Sequence, residues 1–148
     1  MKWTNGPIHT LGLTISNDPD VIMEEDFMPR LKAFDNVLSI WHSRGLSLKG
    51  KVTILKSLGL PKLLYPMSVL PIPESVVSTV DNMILDFVWG TKRPKIKKNV
   101  IIQNIDQGGL KVPHFATMVE ANRISWINRL LNDSRAKWKC ILQEWIKP

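Results

Sequence analysis

Apolar residues recur every three or four positions over long stretches of this 148-residue chain, and this spacing constrains the fold more than any other feature. Between Glu24 and Trp41 the apolar positions are Phe27, Leu31, Phe34, Leu38 and Trp41. That spacing places side chains along one face of an α-helix. Because the missing amide of Pro29 costs nothing in a first turn, we expect the ordered helix to begin near Phe27 or Met28.

The same spacing predicts four further helices. They run from Leu48 to Leu58, from Glu74 to Trp89, from Phe115 to Leu131, and through Trp138, Ile141, Leu142 and Trp145. Ser47 is a suitable N-cap for the first of them, and Gly90 is a typical stop for the second. Gly59-Leu60-Pro61 is expected to kink or end the first, and the prolines at positions 66, 71 and 73 predict a stiff connector.

Alternating apolar and polar residues around Gly12, at positions 7–16, predict a strand or a tight hairpin at the N-terminus. A turn is expected at Asn17-Asp18-Pro19-Asp20, and another at residues 107–110. No internal repeat and no Gly/Ser linker divides the chain. The predicted fold class is therefore mainly α: a helical bundle with a short N-terminal β-hairpin and a basic, proline-containing arm.

Charge is unevenly distributed along the chain, whose net charge is +7. Residues 1–40 hold six acidic and three basic side chains, whereas two later windows contain no acid. The first window, between Asp35 and Glu74, contains Arg44, Lys49, Lys51, Lys56 and Lys62; the second, between Asp86 and Asp106, contains Lys92, Arg93, Lys95, Lys97 and Lys98. One-signed fields of this kind attract polyanions such as nucleic-acid backbones, although a solvated basic face has the same composition.

Lys51 occupies an unusual position on the helix predicted from Leu48 to Leu58. Lys49 and Lys56 share the polar side of that helix, but Lys51 projects into its apolar side. Two interpretations follow: its aliphatic stem passes along the core, or its ammonium points at a ligand.

The sequence contains no recognisable catalytic, metal or cofactor site. It has no phosphate-binding glycine loop, and His9, His42 and His114 lack partners at the spacing of a helical metal site. The acids from Asp18 to Asp26 could hold magnesium, but helix capping explains them more simply. Cys140 lies in an apolar stretch, so a buried structural thiol is expected there.

Cysteine content and hydropathy also bear on the compartment. One cysteine cannot form a disulfide framework, which favours an intracellular, reducing location in the nucleus or cytoplasm. No apolar run is long enough to span a bilayer, and the first residues lack the apolar stretch of a signal peptide. We therefore expect no membrane partner.

Several blocks of the chain, in order, resemble a segment of the reverse transcriptases of non-LTR retrotransposons, the long-interspersed-element type. The blocks are Leu46-Ser47-Leu48-Lys49-Gly50-Lys51-Val52-Thr53-Ile54-Leu55-Lys56-Ser57, Leu60-Pro61-Lys62-Leu63-Leu64-Tyr65, Pro71-Ile72-Pro73, Asp86-Phe87-Val88-Trp89, Lys92-Arg93-Pro94-Lys95-Ile96, Gly108-Gly109-Leu110-Lys111-Val112-Pro113 and Ile124-Ser125-Trp126-Ile127. At the front, Leu11-Gly12-Leu13 resembles the hairpin that closes the palm of these enzymes, the primer grip.

The resemblance implies a segment that runs from the primer grip through the thumb, the helical unit that holds the template-primer duplex. It assigns residues 1–17 to the primer-grip hairpin, 18–90 to the thumb, and 91–148 to the basic arm and C-terminal helices. The implied partners are an RNA/DNA template-primer duplex and the palm domain. The implied phosphate contacts are Lys49, Lys51, Lys56, Lys92, Arg93, Lys95, Lys97 and Lys98.

The same resemblance implies what this chain lacks. The catalytic palm carboxylates, which hold Mg²⁺ in the parent enzyme, lie upstream of the matching segment, so the isolated chain is expected not to polymerise. A different interpretation is a small helical protein-interaction module that uses some of its six tryptophans. Core packing is expected for most of them, and Trp89 and Trp145, near helix ends, are the best candidates for exposure.

Overall fold

The computed structural model describes residues 6–90, 96–132 and 136–140, of which 71% are helical. The helices are α1 (Pro19–Ile22), α2 (Met28–His42), α3 (Leu48–Ile54), α4 (Pro61–Val69), α5 (Glu74–Trp89), α6 (Lys98–Ile102) and α7 (Phe115–Leu131), and the strands are β1 (Ile8–Thr10) and β2 (Leu13–Ile15). π-Helical turns at Met23–Phe27 and Leu55–Gly59 follow α1 and α3, and a 3-10 turn spans Ile105–Gln107. The predicted mainly α fold with an N-terminal hairpin is confirmed.

The first helical rod begins earlier than the apolar spacing predicts. The carboxylate of Asp18 accepts a hydrogen bond from the Asp20 amide at 3.0 Å, so the expected turn is instead the N-cap of α1. Met23–Phe27 then joins α1 to α2, and Pro29 lies in the first turn of α2 as predicted. The acids 24–26 therefore lie within a longer helical rod rather than at its positive end.

The segment from α3 to α4 is a bent helical path. Ser47 caps α3 as predicted, with its hydroxyl accepting from the Gly50 amide at 3.2 Å. The sequence predicts Pro66 in a connector, but it lies buried inside α4, where its missing N–H removes one i→i−4 hydrogen bond from the helix. Gly59 is required in this path, because a Cβ there would lie 2.7 Å from the ring of Phe34.

The core lies around α5. Its buried members on α5 are Val76, Val80, Ile84, Phe87 and Val88. Helix α2 contributes Phe34 and Leu38, helix α4 contributes Leu63 and Met67, and helix α7 contributes Phe115. Gly90 follows the last residue of α5 in the predicted position.

Helix α7 has the predicted bounds, but its apolar side chains are only partly buried. Phe115 and Val119 are buried, whereas Ile124 and Ile127 are each 56% exposed and Leu131 is 75% exposed. The guanidinium of Arg123 donates to the Leu70 carbonyl just after α4, and all of these exposed residues follow Arg123. The apolar stripe is therefore covered only along its first half.

Two further sequence expectations are corrected near the C-terminus. Trp126, expected in the core, is 44% exposed, and Cys140, expected to be buried, is exposed. Residues 137–140 are helical, and Trp138 meets α7, so Cys140, two positions along, lies on another side of that turn. The predicted helical positions 141, 142 and 145, and with them Trp145, lie outside the described residues.

Trp89 is half-buried at the end of α5 and packs against the core. In the part of the chain that the structure describes, its buried indole Nε1 has no hydrogen-bond partner. None of the helices within the described ranges is both long and apolar enough to cross a membrane.

Candidate nucleic-acid interface

The outer face of α3 and of the π-helical turn that follows it is polar and cationic. Lys49 and Lys56 are exposed on it, while Val52 and Leu55 on the opposite side are buried. Thr53, between the two lysines in sequence, donates its hydroxyl to the Lys49 carbonyl at 3.0 Å. We call Lys49, Thr53, Lys56 and Ser57 the α3 basic face.

Two more cations of the first acid-free window are exposed. Lys62 lies at the start of α4, and the guanidinium carbon of Arg44 lies 4.5 Å from the centroid of the Trp41 ring. Among the described residues, no ion pair within 4.0 Å involves Lys49, Lys56 or Lys62. Their charge is therefore available to an anionic ligand.

Lys51 is used within the fold. Its Nζ donates to the Val88 carbonyl at 3.0 Å and lies 5.7 Å from the centroid of the Phe87 ring. A cation near the last carbonyls of a helix interacts favourably with the negative end of the helix dipole. Lys51 thus holds α3 against the C-terminal end of α5, and its position on the apolar side follows from this contact.

The second acid-free window is only partly described. Lys97 is exposed, whereas Lys98 donates to Asp81 Oδ2 at 3.1 Å. The other oxygen of Asp81 accepts from the Phe115 amide at 3.0 Å, and His114 Nε2 lies 3.4 Å from Oδ2. This carboxylate joins α5, α6 and α7. The other predicted contacts of the basic arm, Lys92, Arg93 and Lys95, lie outside the described residues.

Leu11 and Gly12 form the two-residue turn of the hairpin, with φ of 50° and 72°. Positive φ at both central positions defines a type I′ turn, which matches the twist of paired strands. Leu13, the next residue, is buried, but Leu11 is 84% exposed. The hairpin therefore presents an apolar side chain at its tip.

Both carbonyls of this turn are held by helices. Tyr65 on α4 donates its hydroxyl to the Leu11 carbonyl at 3.1 Å, and Arg30 on α2 donates to the Gly12 carbonyl at 2.6 Å. Arg30 also pairs with buried Asp26 at 2.8 Å, and the other oxygen of Asp26 accepts from the Thr14 amide. The tip is thus fixed relative to α2 and α4.

Sequence reasoning did not single out Tyr65, Arg30 or Asp81. The spacing of four between Asp26 and Arg30 is a usable signal for their ion pair. The contact between Tyr65 and Leu11 joins residues 54 positions apart, and no local pattern indicates it.

An open groove of about 550 Å³ between α2 and α5 has a different character from the α3 basic face. Leu38, Met83 and Phe87 line it together with the carboxylates of Asp35 and Asp86. Its acidic rim disfavours a polyanion. Within the described ranges, no group of three or more His, Cys, Asp or Glu side chains could hold a metal ion.

The chain has a distant similarity to a known protein. The chain is 25% identical, over 130 residues, to a protein of Arabidopsis thaliana whose name provisionally assigns it to the ribonuclease H proteins. The match covers 83% of this chain but 21% of the Arabidopsis protein, so the chain spans about a fifth of that relative's length. No protein-family model matches the chain.

Proposed function

We propose that this chain is the template-primer-binding thumb segment of a non-LTR retrotransposon reverse transcriptase. The observation that carries the proposal is the α3 basic face, because its exposed lysines belong to the helix that resembles the thumb of these enzymes. Lys49 and Lys56 contact phosphates of the duplex, with Lys62 and Arg44 adding to the local positive field.

The hairpin supports the same proposal. In the resemblance, Leu11-Gly12-Leu13 corresponds to the primer grip. Hydrogen bonds from Tyr65 and Arg30 to the turn carbonyls fix the position of this tip. The exposed side chain of Leu11 is then available to the primer strand.

The proposal assigns binding, not catalysis, to this chain. The catalytic carboxylates and their Mg²⁺ belong to the palm of the parent enzyme, and the sequence contains no Tyr-x-Asp-Asp hairpin. The name of the Arabidopsis relative refers to cleavage of RNA, so a nucleic-acid substrate is what that name and the proposal have in common.

The first test is equilibrium binding of a fluorescein-labelled RNA/DNA primer-template duplex, followed by anisotropy at 100 mM salt. Lys49→Gln/Lys56→Gln removes two charges from the α3 basic face, and we expect about a tenfold loss of affinity. The matched control, Lys32→Gln/Lys111→Gln, removes two exposed charges elsewhere and should lose less than about twofold.

Equal losses in the two double variants would contradict the proposal, because net charge alone would then account for binding. A primer-extension assay with Mg²⁺ and deoxynucleotides is the companion test. The expected result is no extended product, and extension that Asp18→Asn/Asp20→Asn abolishes would overturn the assignment of binding without catalysis.

A further inference from the structure

The C-terminal half of α7 and residues 136–140 form a second surface that combines an exposed indole, a half-buried indole and cations. Trp126 is 44% exposed, and its ring meets that of Trp138 edge-on, with centroids 6.1 Å apart and an interplanar angle of 88°. The guanidinium carbon of Arg129 lies over one face of the Trp126 ring, 4.9 Å from its centroid. We call Trp126, Arg129 and Trp138 the tryptophan platform.

The surroundings of the tryptophan platform are strongly basic. The described residues between 121 and 140 include four basic side chains and no acidic one. Lys139 is 5% exposed, lies 5.9 Å from the centroid of the Trp138 ring and donates to the Asn132 carbonyl, so it brings a buried positive charge beneath the platform. Lys137 beside it is exposed. These charges raise the potential at a surface that already presents aromatic faces.

This combination matches the chemistry of unpaired nucleotides. A base that is not paired offers a free face for stacking on an indole, and its flanking phosphates require cations. In a duplex those base faces are occupied by their neighbours, so an exposed tryptophan adds little there. The purely apolar neighbours Ile124, Ile127 and Leu131 would suit a protein contact, but such a contact gives no account of the excess of basic residues.

We propose that the tryptophan platform binds single-stranded nucleic acid. One base stacks on the face of Trp126 that Arg129 does not cover, and Arg129 and Lys137 contact the adjacent phosphates. This site is separate from the α3 basic face and extends the proposed function, since it takes a single strand whereas α3 takes the duplex.

The test uses fluorescein-labelled oligothymidylate of 15 nucleotides and an abasic oligonucleotide of equal length, with anisotropy at 100 mM salt. Trp126→Ala should weaken oligothymidylate binding about tenfold, and Trp126→Phe, which keeps an aromatic ring, should retain affinity within about threefold. Arg129→Gln should weaken binding of both oligonucleotides. Ile127→Ala is the control for loss of apolar surface on the same helix and should leave both affinities unchanged.

The abasic strand separates stacking from charge. Wild-type protein should bind it about tenfold more weakly than oligothymidylate, and Trp126→Ala should bind the two strands equally. Equal binding of both strands by wild-type protein would overturn the proposal, and so would an equal effect of Ile127→Ala and Trp126→Ala. Sedimentation equilibrium tests whether a second copy of the chain binds this surface instead. A dimer that Trp126→Ala dissociates would assign the surface to such a contact and overturn the proposal.

Single-strand binding at the tryptophan platform and duplex binding at the α3 basic face can be tested separately. Trp126→Ala should leave duplex affinity unchanged, and Lys49→Gln/Lys56→Gln should lower the affinity for oligothymidylate by less than about twofold. Circular dichroism of Trp126→Ala checks folding. If that variant does not fold, Trp126→Phe and Arg129→Gln still decide the question through the ratio of oligothymidylate to abasic affinity.

Discussion

Helix α3 and helix α7 are both held to α5, yet only α7 leaves a large apolar and aromatic surface exposed. Lys51 of α3 binds the Val88 carbonyl at the end of α5, and Asp81 of α5 binds the Phe115 amide at the start of α7. Beyond these contacts, α3 exposes lysines and hydroxyls, whereas α7 exposes Ile127 and Trp126.

The exposed surface of α3 is polar, whereas that of α7 is largely apolar and aromatic, and the two have different meanings for binding. A polar face like that of α3 is stable in water without a partner, so its exposure alone does not indicate a binding site. Only the positive charge and the position of its lysines point to an anionic ligand. An exposed apolar and aromatic face is uncommon on an isolated fold and indicates a contact. We therefore expect charge to dominate binding at α3 and stacking to dominate binding at α7.

Asp81→Ala should lower the free energy of unfolding by about 3 kcal/mol. The substitution leaves the Phe115 amide and the ammonium of Lys98 without their acceptor and releases the start of α7. Chemical denaturation measures the change. Asp86→Ala, on the exposed side of the same helix, should change it by less than about 0.5 kcal/mol, and similar losses in both variants would show that Asp81 is not the anchor of α7.

Lys51→Met should lower the free energy of unfolding by about 1.5 kcal/mol, because the hydrogen bond to the Val88 carbonyl is lost while the aliphatic stem is kept. Lys49→Met, exposed on the same helix, is the control and should change stability by less than about 0.5 kcal/mol. The opposite pattern, unchanged stability with weaker duplex binding in Lys51→Met, would assign Lys51 to the ligand instead of the fold.

Leu11→Asn should raise the free energy of unfolding by about 0.5 kcal/mol. Leucine is unfavourable at the φ of 50° found there, and Asn-Gly is a preferred type I′ turn sequence. Thermal unfolding by circular dichroism measures the shift. Leu13→Ala, a truncation of the buried neighbour, should instead cost about 2 kcal/mol or more. A destabilised Leu11→Asn would show that the exposed leucine packs against the fold.

Ile127→Gln should change the free energy of unfolding by less than about 0.5 kcal/mol, because its side chain is already 56% exposed. Phe115→Ala, in the buried half of the same helix, should cost about 4 kcal/mol. Urea denaturation of the pair tests whether α7 is covered along half of its length. A large loss in Ile127→Gln would mean that the C-terminal half of α7 is packed.

The sequence predicts more of the helices than of their surroundings. The bounds of α5 and α7 follow from apolar spacing, and the cap at Ser47 follows from residue chemistry. Spacing cannot say which turns of a helix another element covers, so the exposure of Trp126 was not predicted. Nor can it place a lysine against a carbonyl 37 positions away, as Lys51 is placed against Val88.

For the candidate site residues, too, the sequence predicts the charge but not the tertiary contacts. The sign of the charge at Lys49 and Lys56 is readable from the acid-free window, and both side chains are exposed. Lys98 belongs to the same class of residue, but buried Asp81 uses its charge inside the fold. Only the tertiary contacts separate lysines that face solvent from lysines that hold helices together.

The salt dependence of duplex binding tests the α3 basic face most directly. Each phosphate contact contributes about 0.9 to the slope of log affinity against log salt on a DNA duplex. Between about 50 and 200 mM salt, Lys49→Gln/Lys56→Gln should therefore reduce the magnitude of the wild-type slope by about 1.8, while Lys32→Gln/Lys111→Gln should leave it nearly unchanged. A flat wild-type response, or equal reductions in the two double variants, would contradict the account.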